Sequence, residues 1–359
     1  MNKINIYIFN LTNKYIILNI IFLTILILFI NLLEISRILD KENSSFVTLI
    51  YLSILKIPSI ISEIIPFVII ISIAFLFKNL ISNNELISIR NVGLSILDIF
   101  KPMIISIIGF GIIILFLVNP IAAFGEKKFE NITSKNSSNI YTIKFIDNGM
   151  WIKNIGKNNE KNFINISSIN LKTMSAKQIK ILHVNDENKK IIIAKTGQII
   201  NEYFKLNDVQ ILNINEDIIE KKDKYNFKLN FNKKNITDSL SNYKYIPFYK
   251  FNDHINTLKK FNLHSQEISL FYLSEILKPF FLVLIGFVIM GFSGKFKRSD
   301  NFFKVLFVAV LVGFFIFLFK EIVIAITNEI NLSFWLSYLI IFSFPLFIGI
   351  YKISKIEND

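Results

Sequence analysis

Cysteine is absent from the 359 residues, so neither a disulfide framework nor a thiolate metal site can form. Histidine is scarce: His183, His254 and His264 are the full set, and none stands in the HExxH spacing that holds zinc. Ordinary packing or surface roles are expected for them. A phosphate-binding loop is missing as well. The two Gly-Lys pairs, Gly156-Lys157 and Gly294-Lys295, are followed by Asn158 and Phe296 where a P-loop needs Ser or Thr, and both lack its upstream glycine. There is no Gly-x-Ser-x-Gly elbow for a serine nucleophile. The chain is therefore not expected to be an enzyme or to hydrolyse ATP by itself, and no catalytic residue, metal or cofactor is assigned to it.

What is present is apolar. Hydrophobic residues make up 52% of the chain, with 37 Phe. They arrive in blocks of about 20 residues, the length that crosses a bilayer as a helix. Six such spans stand out: Tyr15–Leu33, Ile57–Phe77, Pro102–Ile121, Ser269–Phe292, Phe302–Ile326 and Phe334–Tyr351. The first is too long for a signal-peptide core and has no small-residue cleavage site after it, so it is expected to be retained. Pro66 and Pro345 lie inside spans, which neighbouring helices can tolerate.

The net charge of +13 could point to nucleic acid, but its distribution argues otherwise. Residues 123–267 hold 24 Lys against 15 Asp and Glu. These lysines are dispersed along alternating segments, with no aromatic recognition motif among them. Anionic lipid is the more natural partner for a basic membrane protein. The short loops fix the orientation. With both termini in the cytoplasm, eleven Lys and Arg fall on the inner side, including Lys78, Arg90, Lys295 and Arg298, against Arg37, Lys41 and Lys56 outside. The expected organisation is three spans (1–122), an external domain (123–267) and three more spans (268–359).

That external domain has the period of β-structure. Tyr225, Phe227, Leu229 and Phe231 alternate on one face of YNFKLNF. IYTIKFIDNGMWIKNI has two alternating runs around Asn148-Gly149, which predicts a hairpin. QIKILHV and KKIIIAK flank a second turn at Asn185–Asn188. Many short strands with regular turns predict a sandwich or jelly roll, closed by a helical stretch over Asn252–Asn262.

Charged residues in or beside the spans are costly in lipid and ask for a partner or a cavity. They are Glu34, Arg37, Glu63, Glu275, Lys278, Lys320 and Glu321. Glu275 and Lys278 stand three apart on one helix and can pair. Glu34, Arg37, Lys278 and Glu321 lie near span ends, where snorkelling alone accounts for them. Glu63, close to Pro66, is the candidate for lining a cavity.

The segment NNELISIRNVGLS (Asn83–Ser95) lies between spans two and three. On a helix, Glu85, Ile89 and Val92 share one stripe, and Leu86, Arg90 and Gly93 the next. Glu85 and Arg90 are about 140° apart around the axis, so they do not pair naturally. A short cytoplasmic helix of this kind either lies on the membrane surface or docks into a groove on a nucleotide-binding subunit.

Order and spacing together give a resemblance. Three spans, an external β domain, three spans and a short polar helix after span two resemble the lipopolysaccharide-export permeases, the LptF/LptG family, over essentially the whole chain. In IPFVIIISIAFLFKNLISNNELISIRNVGLS, Pro66, Glu85, Leu86 and Gly93 fall where the family pattern has them. ILKPF, with Pro279, resembles the start of the family's fourth span, and NGMWIKN (Asn148–Asn154) resembles the opening of the β domain in its G-type members. The resemblance implies a polytopic α-helical protein with six transmembrane helices (3+3) and an inserted periplasmic jelly roll. It implies pairing with an F-type (LptF) permease subunit, a cytoplasmic LptB-type ATPase dimer and a periplasmic bridge of LptC/LptA type, with lipopolysaccharide as the transported lipid of the inner membrane. Glu85, Leu86, Ile89, Arg90 and Gly93 would then couple to the ATPase. Arg37 and Lys41 at the outer end of span one, with Glu63, would meet the lipid. Two other readings stay open on sequence: an ABC-linked force transducer of the four-span type, and a non-transporting sensor or scaffold with an external β domain.

Overall fold

The computed structural model describes residues 3–38, 46–133, 142–144, 150–155, 161–170, 173–184, 189–200, 203–214, 218–229, 242–260, 264–295, 301–330 and 332–358. The chain forms two compact units, one of residues 1–129 with 269–359 and one of residues 130–268.

The first unit is helical. It contains α1 (Lys3–Ile38), α2 (Phe46–Ser82), the short α3 (Glu85–Asn91) and α4 (Ile96–Ile113). A π turn (Ile114–Val118) joins α4 to α5 (Asn119–Thr133), whose last turn belongs to the second unit. After the β unit come α7 (Gln266–Ser293), α8 (Phe302–Ile330) and α9 (Phe334–Asn358). Among the described residues six helices are long and apolar enough to cross a membrane, α4 and α5 counting as one. The spans expected from sequence are the apolar centres of these longer helices. In hydrocarbon every backbone donor and acceptor must be satisfied within the segment, which leaves helices as the form these blocks adopt. The helices continue past the apolar blocks because polar flanks such as Asn10–Lys14 still bury one stripe, with Ile8 and Thr12 each 1% exposed.

α2 and α7 are the interior helices: 61% and 56% of their apolar windows are buried, against 28% or less for the other four. Ile69, Ile73 and Phe77 of α2 pack in one core with Met103 and Ile107 of α4 and Ile285 and Ile289 of α7. Polar contacts fix the pairs further. Asn19 of α1 donates to Ser72 Oγ of α2 at 3.1 Å, and Thr327 of α8 donates to Ser337 Oγ of α9 at 2.7 Å. Such bonds hold membrane helices where apolar packing gives little preference over lipid. Backbones come closest at glycines. A Cβ on Gly111 would lie 2.7 Å from Pro279 Cβ, and one on Gly125 would lie 2.3 Å from the carbonyl oxygen of Leu55.

The second unit holds, among the described residues, an antiparallel sheet of seven strands: β1 (Thr142–Lys144), β2 (Met150–Ile155), β3 (Lys161–Asn170), β4 (Ser175–Val184), β5 (Lys189–Ile200), β6 (Tyr203–Asn213) and β7 (Ile218–Lys228). From β3 to β7 each strand pairs with the next in sequence. The β4–β5 hairpin is as expected, although its turn at Asn185–Asn188 lies outside the described residues. The other expected hairpin is corrected. The runs on either side of Asn148-Gly149 (itself outside the described residues) do not pair with each other. Both pair with β3, Thr142 opposite Asn170 and Met150 opposite Ile166, so they follow one another along a single edge. β3 already offers a continuous ladder there, and two short strands fill it.

One face of the sheet is apolar from β2 to β6. Ile152, Ile164, Ile181, Ile192 and Ile211 form one cross-strand row, and Ile166, Ile179, Ala194 and Val209 the next. These side chains are buried, Ile164, Ile166, Ile179 and Ile181 to 0% exposure, against one another. The registers show where the sheet bends. Gln178, Lys195, Asp208 and Asp223 are skipped in successive ladders, and Gln178 and Asp208 have left-handed φ of 51° and 52°. At this seam each inner strand exposes two successive residues: Lys177 and Gln178, Lys195 and Thr196, Asn207 and Asp208. The alternation slips by one, so the apolar residues on both sides of the bend stay inside. Tyr225, Phe227 and Leu229 join the core side as expected, while Phe231 lies outside the described residues. α6 (Phe251–Lys260) buries Phe251, His254 and Leu258 and packs against β2. Tyr243 donates to Glu267 Oε1 at 2.7 Å, and burial together with this bond pushes its hydroxyl up to about 12.

Gly125→Ala is expected to destabilise the protein by about 1–3 kcal/mol, since the new methyl meets a backbone carbonyl that cannot swing away. Gly109→Ala, with no atom within 4 Å of the added carbon, is expected to be neutral or mildly stabilising. Thermal unfolding of both variants in detergent checks the pair.

Candidate functional site

The segment between spans two and three is held in one shape from both ends. Asn84, with φ 60°, turns the chain out of α2 into α3, and Gly93, with φ 89°, turns it back out. The Gly93 N–H closes the turn on Arg90 O at 2.9 Å. Nothing lies within 4 Å of a Cβ built on Gly93, so its requirement is torsional and not steric. Ser95 then caps α4: the Asp98 N–H donates to Ser95 Oγ at 3.1 Å, and the Ser95 N–H donates to Asp98 Oδ2 at 3.0 Å. Lys101 pairs with Asp98 at 2.7 Å.

Within α3 the side chains divide. Leu86 and Ile89, expected to fill a partner's groove, are each 7% exposed and belong to the chain's own core with Ile8, Ile81 and Ile96. The apolar side chains that the segment presents outward are Ile87, 60% exposed, and Val92, 71% exposed. The assignment of Leu86 and Ile89 as contact residues is therefore corrected: they seat the helix, and Ile87 and Val92 form its outer face. The reason is geometric. α3 follows α2 after only two residues, so one stripe must lie on the end of the bundle. Arg90 is exposed. Glu85 does not meet Arg90, in line with their angular separation, and is instead held by Tyr7, whose hydroxyl donates to Glu85 Oε2 at 2.7 Å; Asn83 Nδ2 donates to Oε1 at 3.3 Å.

A second set of charges lies within the bundle. Lys278 pairs with Glu275 at 2.5 Å, the two side chains being 14% and 13% exposed. Lys278 also donates to Ser62 Oγ at 3.2 Å and to Ser62 O at 3.3 Å on α2. That carbonyl is the one Pro66, four residues on, cannot serve, because proline has no N–H. Lys320 pairs with Glu321 at 3.3 Å and lies over the rings of Phe281 and Phe317, at 5.5 and 5.7 Å. Lys278 is thus engaged inside the bundle, which overturns the snorkelling account for it.

The residues proposed to meet lipid are placed differently. Arg37 is exposed in the last turn of α1, where a cation suits the helix dipole. Lys41 lies outside the described residues. Glu63 is exposed on α2, on the outside of this chain's bundle, next to the buried Ser62. Sequence reasoning missed Tyr7, which has no motif around it. It also missed the cap at Ser95, although Ser-x-x-Asp before an apolar run was there to find.

Among the described residues, six helices long and apolar enough to cross a membrane, a β-sheet unit between the third and fourth, and a short helix between the second and third give the architecture of a multi-pass membrane protein with an inserted β domain. The chain belongs to the family of lipopolysaccharide export system permeases LptF/LptG, whose model matches residues 6–355. Members of this family are membrane permease subunits for lipopolysaccharide export, not enzymes. No individual curated protein matches the chain.

Lys278→Met is expected to cost about 3–5 kcal/mol, because it leaves Glu275 unpaired and the Ser62 carbonyl without a donor. Adding Glu275→Gln to it should recover part of that loss. Unfolding temperatures in detergent check both, and an unaffected single variant would return Lys278 to the snorkelling group.

Proposed function

We propose that this chain is the G-type subunit of a two-permease lipopolysaccharide exporter, and that Asn83–Ser95 is its docking segment for a cytoplasmic LptB-type ATPase. The family membership supports the transport role. The observation that carries the docking assignment is the preformed α3, bracketed by Asn84 and Gly93, with Ile87 and Val92 exposed beside the Glu85 carboxylate. A membrane-surface helix would have no need of such rigid ends. The charge balance of the short loops supports cytoplasmic termini and a periplasmic β domain. An F-type subunit would complete the lipid cavity, with Glu63 of α2 lining it and Arg37 and Lys41 meeting headgroup phosphates as charge-assisted donors. The G-type choice rests on the Asn148–Asn154 stretch. ATP hydrolysis in the partner would drive extraction from the outer leaflet of the inner membrane, and the β unit would pass the lipid to a periplasmic bridge of LptC/LptA type. For that handover β7 is a candidate edge: among the described residues it pairs with β6 alone, and its exposed Lys221, Lys222 and Lys224 discourage unspecific strand pairing.

Glu85→Lys should detach or uncouple the ATPase while leaving the β unit folded. Loss of a buried interfacial charge pair costs about 2–5 kcal/mol, and reversal should cost no less. Co-purification of a fully active ATPase with this variant, together with normal transport, would rule the segment out as the coupling element. Tags at Met1, Gly294 and Asp359 should report cytoplasm and one at Asn188 periplasm; a cytoplasmic signal from Asn188 would overturn the topology. A photocrosslinker at Arg37 should capture lipopolysaccharide in cells, and adducts only at other cavity positions would remove Arg37 from the lipid path.

A further inference from the structure

The first helix begins well before its apolar block. Residues Lys3–Lys14 extend it by twelve residues, about 18 Å at the helical rise. The extension is anchored: Ile8, Thr12 and Ile16 form an i, i+4, i+8 stripe with exposures of 1%, 1% and 0%. Ile8 lies in the same core as Leu86 and Ile89. Ser106 of α4 donates to Phe9 O at 3.4 Å. Tyr7 stands next to the stripe, and its hydroxyl reaches Glu85 Oε2 across 78 positions of sequence.

We infer that Tyr7 is a positioning residue for coupling: it holds the Glu85 carboxylate in the orientation a partner cation reads, and it ties α3 to the first span. This rests on the docking role proposed for Glu85. Two features carry it. A carboxylate has about four acceptor positions, and Tyr7 and Asn83 occupy two, so the bond orients Glu85 without closing it to a cation. Leu86 and Ile89 seat α3 through apolar contacts that carry no direction. The Tyr7 bond is directional, so a displacement of α3 draws the start of α1 with it. Rotation of the carboxylate about its last torsions, which apolar seating leaves open, is what the bond removes.

The test uses the complex with its co-expressed ATPase. Tyr7→Phe deletes the hydroxyl and keeps the ring. It should weaken ATPase binding by about three- to tenfold, the range of one hydrogen bond to a charged group at a partly exposed site, and lower lipid-stimulated hydrolysis, with an unchanged unfolding temperature. In a Glu85→Ala background, Tyr7→Phe should add nothing, because its effect passes through that carboxylate. Equal losses in both backgrounds, or a lowered unfolding temperature with unaltered ATPase affinity, would make Tyr7 merely structural and overturn the inference. If Glu85→Lys detaches the ATPase and Tyr7→Phe does not, the docking segment stands and the role of Tyr7 falls. If Glu85→Lys leaves the ATPase bound, both fall.

Discussion

The hydrogen bond from Lys278 to the carbonyl of Ser62 is the contact on which the helical unit turns. Pro66 removes the donor that would have served this carbonyl, in a span where no water can replace it. A lysine reaches across as a donor, but it brings a charge, and the charge needs a partner in its turn. Glu275, one turn back on α7, supplies it at 2.5 Å. A backbone irregularity in α2 therefore dictates a lysine on α7, and the lysine dictates an acid. The Lys278–Ser62 contact joins the two most buried helices, so it fixes how they sit against each other. Next to it, Pro279 packs where only a glycine at 111 leaves room. α2, α4 and α7 meet around this point, and the more exposed α1, α8 and α9 complete the bundle around them.

The β unit answers a different constraint. Among the described residues the apolar face of the sheet is buried mainly against itself, with α6 packed on β2. A flat sheet would leave it exposed; a smoothly curled one would strain every ladder along the bend. The chain concentrates the bend in one line, where Gln178 and Asp208 take left-handed torsions and the ladder pairs are skipped. The residues of the line are polar and face outward, and Lys195 and Asp208 approach to 3.8 Å there. The cost of the irregular torsions is local, while the gain is a closed core from β2 to β7.

How much of this was legible follows from the kind of signal each feature leaves. The six spans are written in twenty-residue apolar blocks, and local composition decides them, so they were read. The alternating runs of β4, β5 and β7 were read as β, while β6 was not singled out, and the seam breaks the alternation by one residue. In sequence that looks like noise; in the sheet it is the bend. The expected hairpin around Asn148-Gly149 failed because turn chemistry is local, while pairing went to β3, which competes from a distance. The segment between spans two and three stood out by its polarity and by the family pattern. Which face it buries was misjudged, since that depends on the end of α2 lying beneath it. The Lys278–Ser62 and Tyr7–Glu85 contacts join residues 216 and 78 positions apart, beyond any periodicity.

These two long-range contacts lie on one continuous element. α2 runs unbroken from Phe46 to Ser82, and α3 follows it after Asn83 and Asn84. From Ser82 back to Pro66 is about 24 Å of helix. In the proposed mechanism the ATPase loads α3, which rests on the inner end of this rod, while Lys278 grips it at Ser62 beyond the proline. The rod is stiff wherever its own hydrogen bonds are intact, so bending concentrates at its two interior prolines, Pro58 and Pro66, and at Pro66 a side chain from α7 substitutes for the missing bond. A substituted bond can lengthen without unwinding the helix on either side. Counted from the inner end, the first position where α2 yields is thereby also the position where it is joined to α7, and a load that bends α2 must act on the junction with the fourth span before it reaches the outer third of the bundle. Tyr7 adds a second, parallel connection from α3 to α1 at the inner end. The two connections leave α3 at different helices and at different depths, so a single displacement of the segment reaches the first and the fourth spans by separate physical routes.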